Sequence, residues 1–179
     1  MLLLGTGGRL VGEAKRRDGK IGGITTKEIV GRLFNAPNTA LGLGYGSIGQ
    51  AAGDVAYELG LQAARPRITS RGGRTEFLNN PFGGLSAITI GDATTYKGNP
   101  YVRGGGWDNY RAVYGQDIQD HEYQHVLQGR QLGPLYLPSN VLGGFLAVAK
   151  GQGWHGDANW NERGPNSNPP RPWPPRVRK

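Results

Sequence analysis

His121 and His125 stand four residues apart, with Glu122 directly after the first, in the run His-Glu-Tyr-Gln-His. On a helix the two imidazoles lie one above the other on a single face. Nitrogen ligands on adjacent turns suit Zn²⁺. A Glu beside the first can reach a metal-bound water without taking a metal position. The chemistry is activation of that water, with Glu122 as general base. The alternative is a surface helix whose His are solvated. Two of the chain's three His fall in this run, which favours the metal.

A catalytic zinc takes three protein ligands and a water. The candidates for the third ligand are His155, Asp157 and Glu162, in Trp154-His-Gly-Asp-Ala-Asn-Trp-Asn-Glu. Glu162 completes a two-His, one-Glu set and His155 a three-His set; spacing alone leaves both open. The chain has no Cys, which excludes disulfides and a thiolate zinc site.

Elements must hold these groups. Asp117 stands where a helix N-cap belongs, Asp120 falls in the first turn, and Gly133-Pro134 is a stop. This predicts a helix of roughly four turns. Ser139 is positioned to cap a second helix over 140–150, closed by Gly151. Its Val141, Leu142, Phe145, Leu146 and Val148 point to core packing, with lipid contact as the alternative. Upstream, 67–78 reads as a β-hairpin around Gly72-Gly73 in a type I′ turn. Residues 85–96 read as a strand with Ile88 and Ile90 on one face and Thr89 on the other. Such a strand ahead of a metal helix can pair with an extended substrate, so Ile88, Thr89 and Ile90 are candidate substrate-binding residues.

Nearer the N-terminus, Thr25 or Thr26 caps a short helix containing Ile29, Val30 and Leu33, and 35–38 marks a turn. The run Leu41-Gly-Leu-Gly-Tyr-Gly has neither a preceding strand nor the Gly-Lys-Ser/Thr of a phosphate loop. It reads as close backbone packing or a flexible loop, followed by a short helix over 54–61. Gly104-Gly-Gly-Trp is a flexible link.

The length of 179 residues fits one domain. We place it at 1–162, with a basic, Gly-rich part at 1–33. A Pro/Arg-rich tail over 163–179 is expected to be extended, as polyproline II over 168–179, with Trp173 packed on the domain and the basic end free. The 32 Gly and 12 Pro imply many loops. A net charge of +8 favours an anionic partner such as an acidic inhibitor, nucleic acid, or a membrane or cell-wall surface. Leu2 to Leu4 are too few for a signal peptide, and no run reads as long and apolar enough to span a bilayer. Export is expected to need a carrier or specialised machinery.

The run His121-Glu-Tyr-Gln-His-Val-Leu-Gln-Gly-Arg-Gln-Leu-Gly-Pro-Leu-Tyr-Leu-Pro resembles the HExxH-containing toxin domains at the C-termini of Rhs-repeat and other polymorphic toxins. His121, Glu122, Tyr123, His125, Gln128 and 132–137 match that pattern, and Ala87-Ile-Thr-Ile-Gly looks like the strand that often precedes it. Gln124 departs from the usual Gly, and Asn159-Trp-Asn-Glu-Arg from the usual downstream segment. The resemblance implies an α+β, zincin-like zinc metallopeptidase effector, secreted or delivered into a target cell. Its partners would be a protein or peptide substrate, an acidic immunity protein and a larger carrier polypeptide; nucleic acid is not favoured. We read His121, His125 and Glu162 as the Zn²⁺ ligands and Glu122 as the base. His155 is then a supporting or transition-state group. The rivals are a metal-dependent hydrolase of cell-wall peptide or another amide, and a basic binding module with a structural metal.

Overall fold

The computed structural model describes residues 20–21, 24–102 and 115–174, which form an α+β fold. The basic run at 15–17 and the link at 104–107 lie outside the described residues. Strands β1 (Lys20–Ile21) and β2 (Ile24–Thr25) pair antiparallel and lead into helix α1 (Thr26–Phe34). Thr25 caps α1 as expected. Its hydroxyl accepts from the Glu28 amide at 3.2 Å, and its own amide donates to the Glu28 carboxylate at 2.8 Å.

Asn35 alone separates α1 from α2 (Ala36–Glu58), a helix of 23 residues. It replaces the expected turn at 35–38, the loop reading of 41–46 and the separate helix at 54–61. Pro37 falls in the first turn, where its missing N–H leaves no bond unmade. Gly42, Gly46, Gly49 and Gly53 recur on one buried face. A Cβ at Gly42 would lie 2.1 Å from the Ile90 carbonyl oxygen, and one at Gly46 would lie 2.3 Å from the Phe77 ring. The glycines therefore serve close backbone approach.

Strands β3 (Arg67–Arg71), β4 (Arg74–Leu78), β5 (Ala87–Ile90) and β6 (Ala93–Tyr96) form a sheet in the order β3-β4-β6-β5. β4 and β6 run parallel; the other pairs are antiparallel. The β3–β4 hairpin turns at Gly72 and Gly73, with φ of 58° and 71°, as a type I′ turn requires. The region 85–96 is two strands, not one: Gly91, at φ 64°, and Asp92 reverse the chain. Alternation then sets the faces. Phe77 and Ala93 face α2, whereas Arg74, Glu76 and Tyr96 face helix α3 (Ile118–Leu132).

The layer between the sheet and α3 is partly apolar, with Leu78, Tyr96 and Ile118 in contact. It also holds a buried Arg74–Glu76 ion pair at 2.7 Å. Arg74 donates onward to the Gln119 carbonyl at 3.3 Å, and the Tyr101 hydroxyl donates to Glu76 at 2.8 Å. At the other end of α3, Arg130 pairs with Asp92 at 2.9 Å, in the β5–β6 turn. Arg74, held by Glu76 on its own strand, thus fixes the first turn of α3 through the Gln119 carbonyl, and the Arg130–Asp92 ion pair fixes the last. Asp117 takes the N-cap position through its backbone, with no side-chain cap bond.

Gly133, at φ 55°, stops α3; a 3₁₀ turn (Gly133–Leu135) follows, and then α4 (Tyr136–Ala149). α4 starts four residues before the expected position. Ser139 does not cap it; its hydroxyl accepts from the Trp160 indole at 2.9 Å. The inward residues of α4 are Tyr136, Gly143, Gly144 and Ala147. Val141, Leu142, Phe145, Leu146 and Val148, expected in the core, are exposed. Small residues face in because Asn159 and Trp154 press against Gly143 and Gly144. Taken as one helical run, Ile118–Ala149 is long and apolar enough to cross a membrane by length and composition, which the sequence reading missed. The break at Gly133 divides it. Residues 163–174 stay on the domain and, against the expectation of an extended tail, form turns: the Asn166 amide donates to the Glu162 carbonyl at 2.8 Å and the Arg171 amide to the Gly164 carbonyl at 3.1 Å. Gln116 donates to the Pro165 carbonyl at 2.7 Å, and the Trp173 indole donates to Gln131, as expected of Trp173.

Gly42→Ala is expected to cost roughly 1–3 kcal/mol by overpacking. Gly44→Ala, whose Cβ meets nothing within 4 Å, should instead stabilise by up to about 1 kcal/mol. Denaturation midpoints measure both; equal effects would show that the glycine face is not a packing requirement.

Candidate metal centre

α3 presents His121 and His125 from successive turns towards the segment after α4. That segment is folded by its own amides: the Glu162 amide donates to the Asn159 carbonyl at 3.0 Å, and Asn159 donates to the Trp154 carbonyl at 3.1 Å. The result brings Glu162 to the imidazole pair. The two Nε2 atoms are 3.1 Å apart, and Glu162 Oε2 lies 3.4 Å from His121 Nε2 and 3.5 Å from His125 Nε2. Donors about 2.0–2.1 Å from a tetrahedral Zn²⁺ stand about 3.3–3.4 Å apart. The triangle therefore matches that ion's coordination edges. All three residues are buried, and Glu162 Oε2 has no hydrogen-bond partner.

Glu122 lies beside this triangle and outside it. Its carboxylate accepts from the Thr89 hydroxyl at 2.7 Å, and Thr89 also contacts Thr94 at 2.9 Å. Thr89 thus holds Glu122, while Ile88 and Ile90 occupy the other face of β5. Of the third-ligand candidates, only Glu162 joins the imidazole pair. His155 is outside it: its ring is 67% exposed and its Nδ1 sits 3.1 Å from the other Glu162 oxygen. Asp157 is exposed.

Gln128 was legible only as part of the family pattern, yet it ties the site together. Its amide nitrogen donates to the Asn161 carbonyl at 2.7 Å and to the Pro172 carbonyl. Its oxygen lies 2.9 Å from His125 Nδ1. An amide oxygen only accepts, so His125 Nδ1 carries a proton, and once the ring gives up its second proton the lone pair is left on Nε2 for a metal. Tyr136 was missed as well; its ring lies 6.3 Å from that of His125. The signal for Gln128 was its position three residues after His125, on the same helical face.

The electrostatics follow from the shared carboxylate. Burial lowers the His125 pKa, but Glu162 outweighs it and pushes the value up to about 9. Burial also opposes the Glu162 charge, but the neighbouring imidazoles, His125 first, hold its pKa well below the usual range. Burial raises the Tyr136 phenol well above its ordinary value, so it remains a donor.

The centre opens on a cleft of about 570 Å³ whose walls include Leu85, Ile88, Leu137 and Trp154. β5 is an edge strand and borders it. No protein family, curated protein or solved structure matches the chain.

Metal analysis is expected to find about one zinc per chain. A protonated imidazole cannot ligate, and His125 keeps its proton up to about pH 9. Zinc affinity should therefore climb with pH towards 9 and level off above it. A flat profile from pH 6 to 9 would exclude His125 as a ligand. Gln128→Leu should weaken zinc roughly 10–100-fold, read by competition with a chelator.

Proposed function

We propose that this chain is a zinc-dependent peptidase of the polymorphic-toxin effector kind. The observation that carries the reading is three buried donors at zinc spacing with an uncoordinated carboxylate, Glu122, beside them at the floor of an open cleft. A structural metal would call for a closed fourth donor; this centre faces the cleft.

Bound zinc would supply Lewis acidity and lower the pKa of a water. Glu122 accepts that water's proton, and the Thr89 hydroxyl aims the carboxylate. An extended peptide pairs with the free edge of β5, which is how Ile88, Thr89 and Ile90 would set its position. The Tyr136 phenol, kept protonated, is a donor for the developing oxyanion. His155 steadies Glu162 from the rim. The likeness to Rhs-type toxin domains supports delivery into a target cell, and the +8 charge supports an acidic immunity protein as inhibitor.

The test separates base from ligand. Glu122→Gln keeps the shape and removes the proton acceptor. It should retain zinc and lose about 10²–10⁴-fold in peptide hydrolysis. Glu162→Gln should lose zinc and activity together, while His155→Ala keeps the metal. Cleavage mapping on whole proteomes gives the readout. Wild-type hydrolysis by Glu122→Gln would end the peptidase reading.

A further inference from the structure

We infer that the exposed apolar faces of α2 and α4 form a docking surface for an anionic lipid bilayer. This inference does not depend on the metal centre.

Both helices are built inside out relative to a water-facing helix. α2 turns Gly42, Gly46, Gly49 and Gly53 to the sheet and leaves Leu41, Ile48, Val55 and Leu59 exposed. These four recur at intervals of seven, seven and four, so they form one stripe. α4 turns Gly143, Gly144 and Ala147 inward and leaves Leu142, Leu146 and Phe145 outside, in line with Leu135 at its N-cap. Large apolar residues outward over a small-residue contact face is the pattern of helices that meet lipid. Water rewards the opposite arrangement.

The two stripes start from one place. Asn38, in the first turn of α2, donates to the Gly133 carbonyl at 2.6 Å, and the Phe34 ring covers Gly133. Phe34 and Leu135 are both exposed there. The runs 36–53 and 131–149 contain no Asp, Glu, Lys or Arg, while Asp54 and Glu58 adjoin the C-terminal end of the α2 stripe at Val55 and Leu59. In the chain, Lys27 and Arg32 precede α2 on α1, beside Glu28, and Lys150 directly follows α4.

Charge selects the occupant. Burial removes Glu76, Asp92, Glu122 and Glu162 from the surface but only Arg74 and Arg130 among the described cations. Among the described residues, burial therefore shifts the balance of surface charge towards the positive. A second copy would bring a like-charged surface against it. Anionic headgroups attract that surface, and acyl chains cover an apolar stripe of any shape.

The test is co-flotation of the full chain with vesicles of phosphatidylcholine alone or mixed with phosphatidylglycerol. Binding to the mixed vesicles should be at least about tenfold tighter and should weaken as salt is added. The double variant Leu41→Gln/Leu142→Gln replaces exposed side chains, so its thermal midpoint should match wild type while mixed-vesicle affinity falls at least about tenfold. Flotation unchanged in that variant, or equal binding to both vesicles, overturns the inference. So does failure to float with either, whether the chain sediments as a monomer or as a dimer that the variant dissolves; the dimer would assign the faces to a second copy.

Discussion

A carboxylate sealed from water, with only 1% of Glu162 exposed, governs this structure. Burying such a charge is costly unless partners surround it. Three imidazoles do so here, two from α3 and one from the rim. The arrangement holds only if α3 and the segment after α4 keep their separation to a fraction of an ångström. Gln128 enforces it from within, with one amide gripping His125 and the carbonyl just before Glu162. One side chain therefore sets both the tautomer of a donor and the approach of the third donor.

The wider fold supplies rigidity for that contact. Two buried Arg side chains, each paired with a carboxylate, clamp α3 onto the sheet: Arg74 of β4 through the Gln119 carbonyl in the first turn, and Arg130 in the last turn through Asp92. Such pairs contribute little net stability against an apolar replacement, and breaking one costs about 3–5 kcal/mol. Their role is orientational: they stop α3 from sliding or rotating over β5. On the far side, the glycine face of α2 lets backbone meet backbone, so the sheet is backed by a close-fitting wall. Thr89 gains from this, because an edge strand without support would not hold its hydroxyl on Glu122.

The site was legible where local rules are strong. Two His and a Glu at helical spacing need only a helix, and Gly133 ends it where expected. The Gly72-Gly73 hairpin was readable because positive φ at both positions has one common solution. The third donor was not decided by spacing, since Glu162 reaches the pair through turns built on Asn159 and Asn161 that no period announces. The α2 glycines read as close backbone packing or a loop; the packing is there, but the helix that carries it was hidden because glycine's intrinsic helix propensity is poor and tertiary contact overrides it. The reversal at Gly91-Asp92 was hidden by Ile- and Thr-rich residues on both sides. In α4 the apolar residues were identified, but their direction was inverted, because pattern alone does not say which face meets protein.

The Gln128 bridge joins residues 33 and 44 positions apart in the chain. Such contacts form only after the intervening segment has folded, since closing a long loop precedes the reward of the contact. On a nascent polypeptide, or one threaded through a pore from its N-terminus, the His pair emerges well before the carboxylate and the carbonyls that fasten it. The cluster of His121, His125 and Glu162 is thus incomplete until the segment after α4 arrives, and its Gln128 fastening until Pro172 does, which puts a delay between the appearance of the His pair and its assembly.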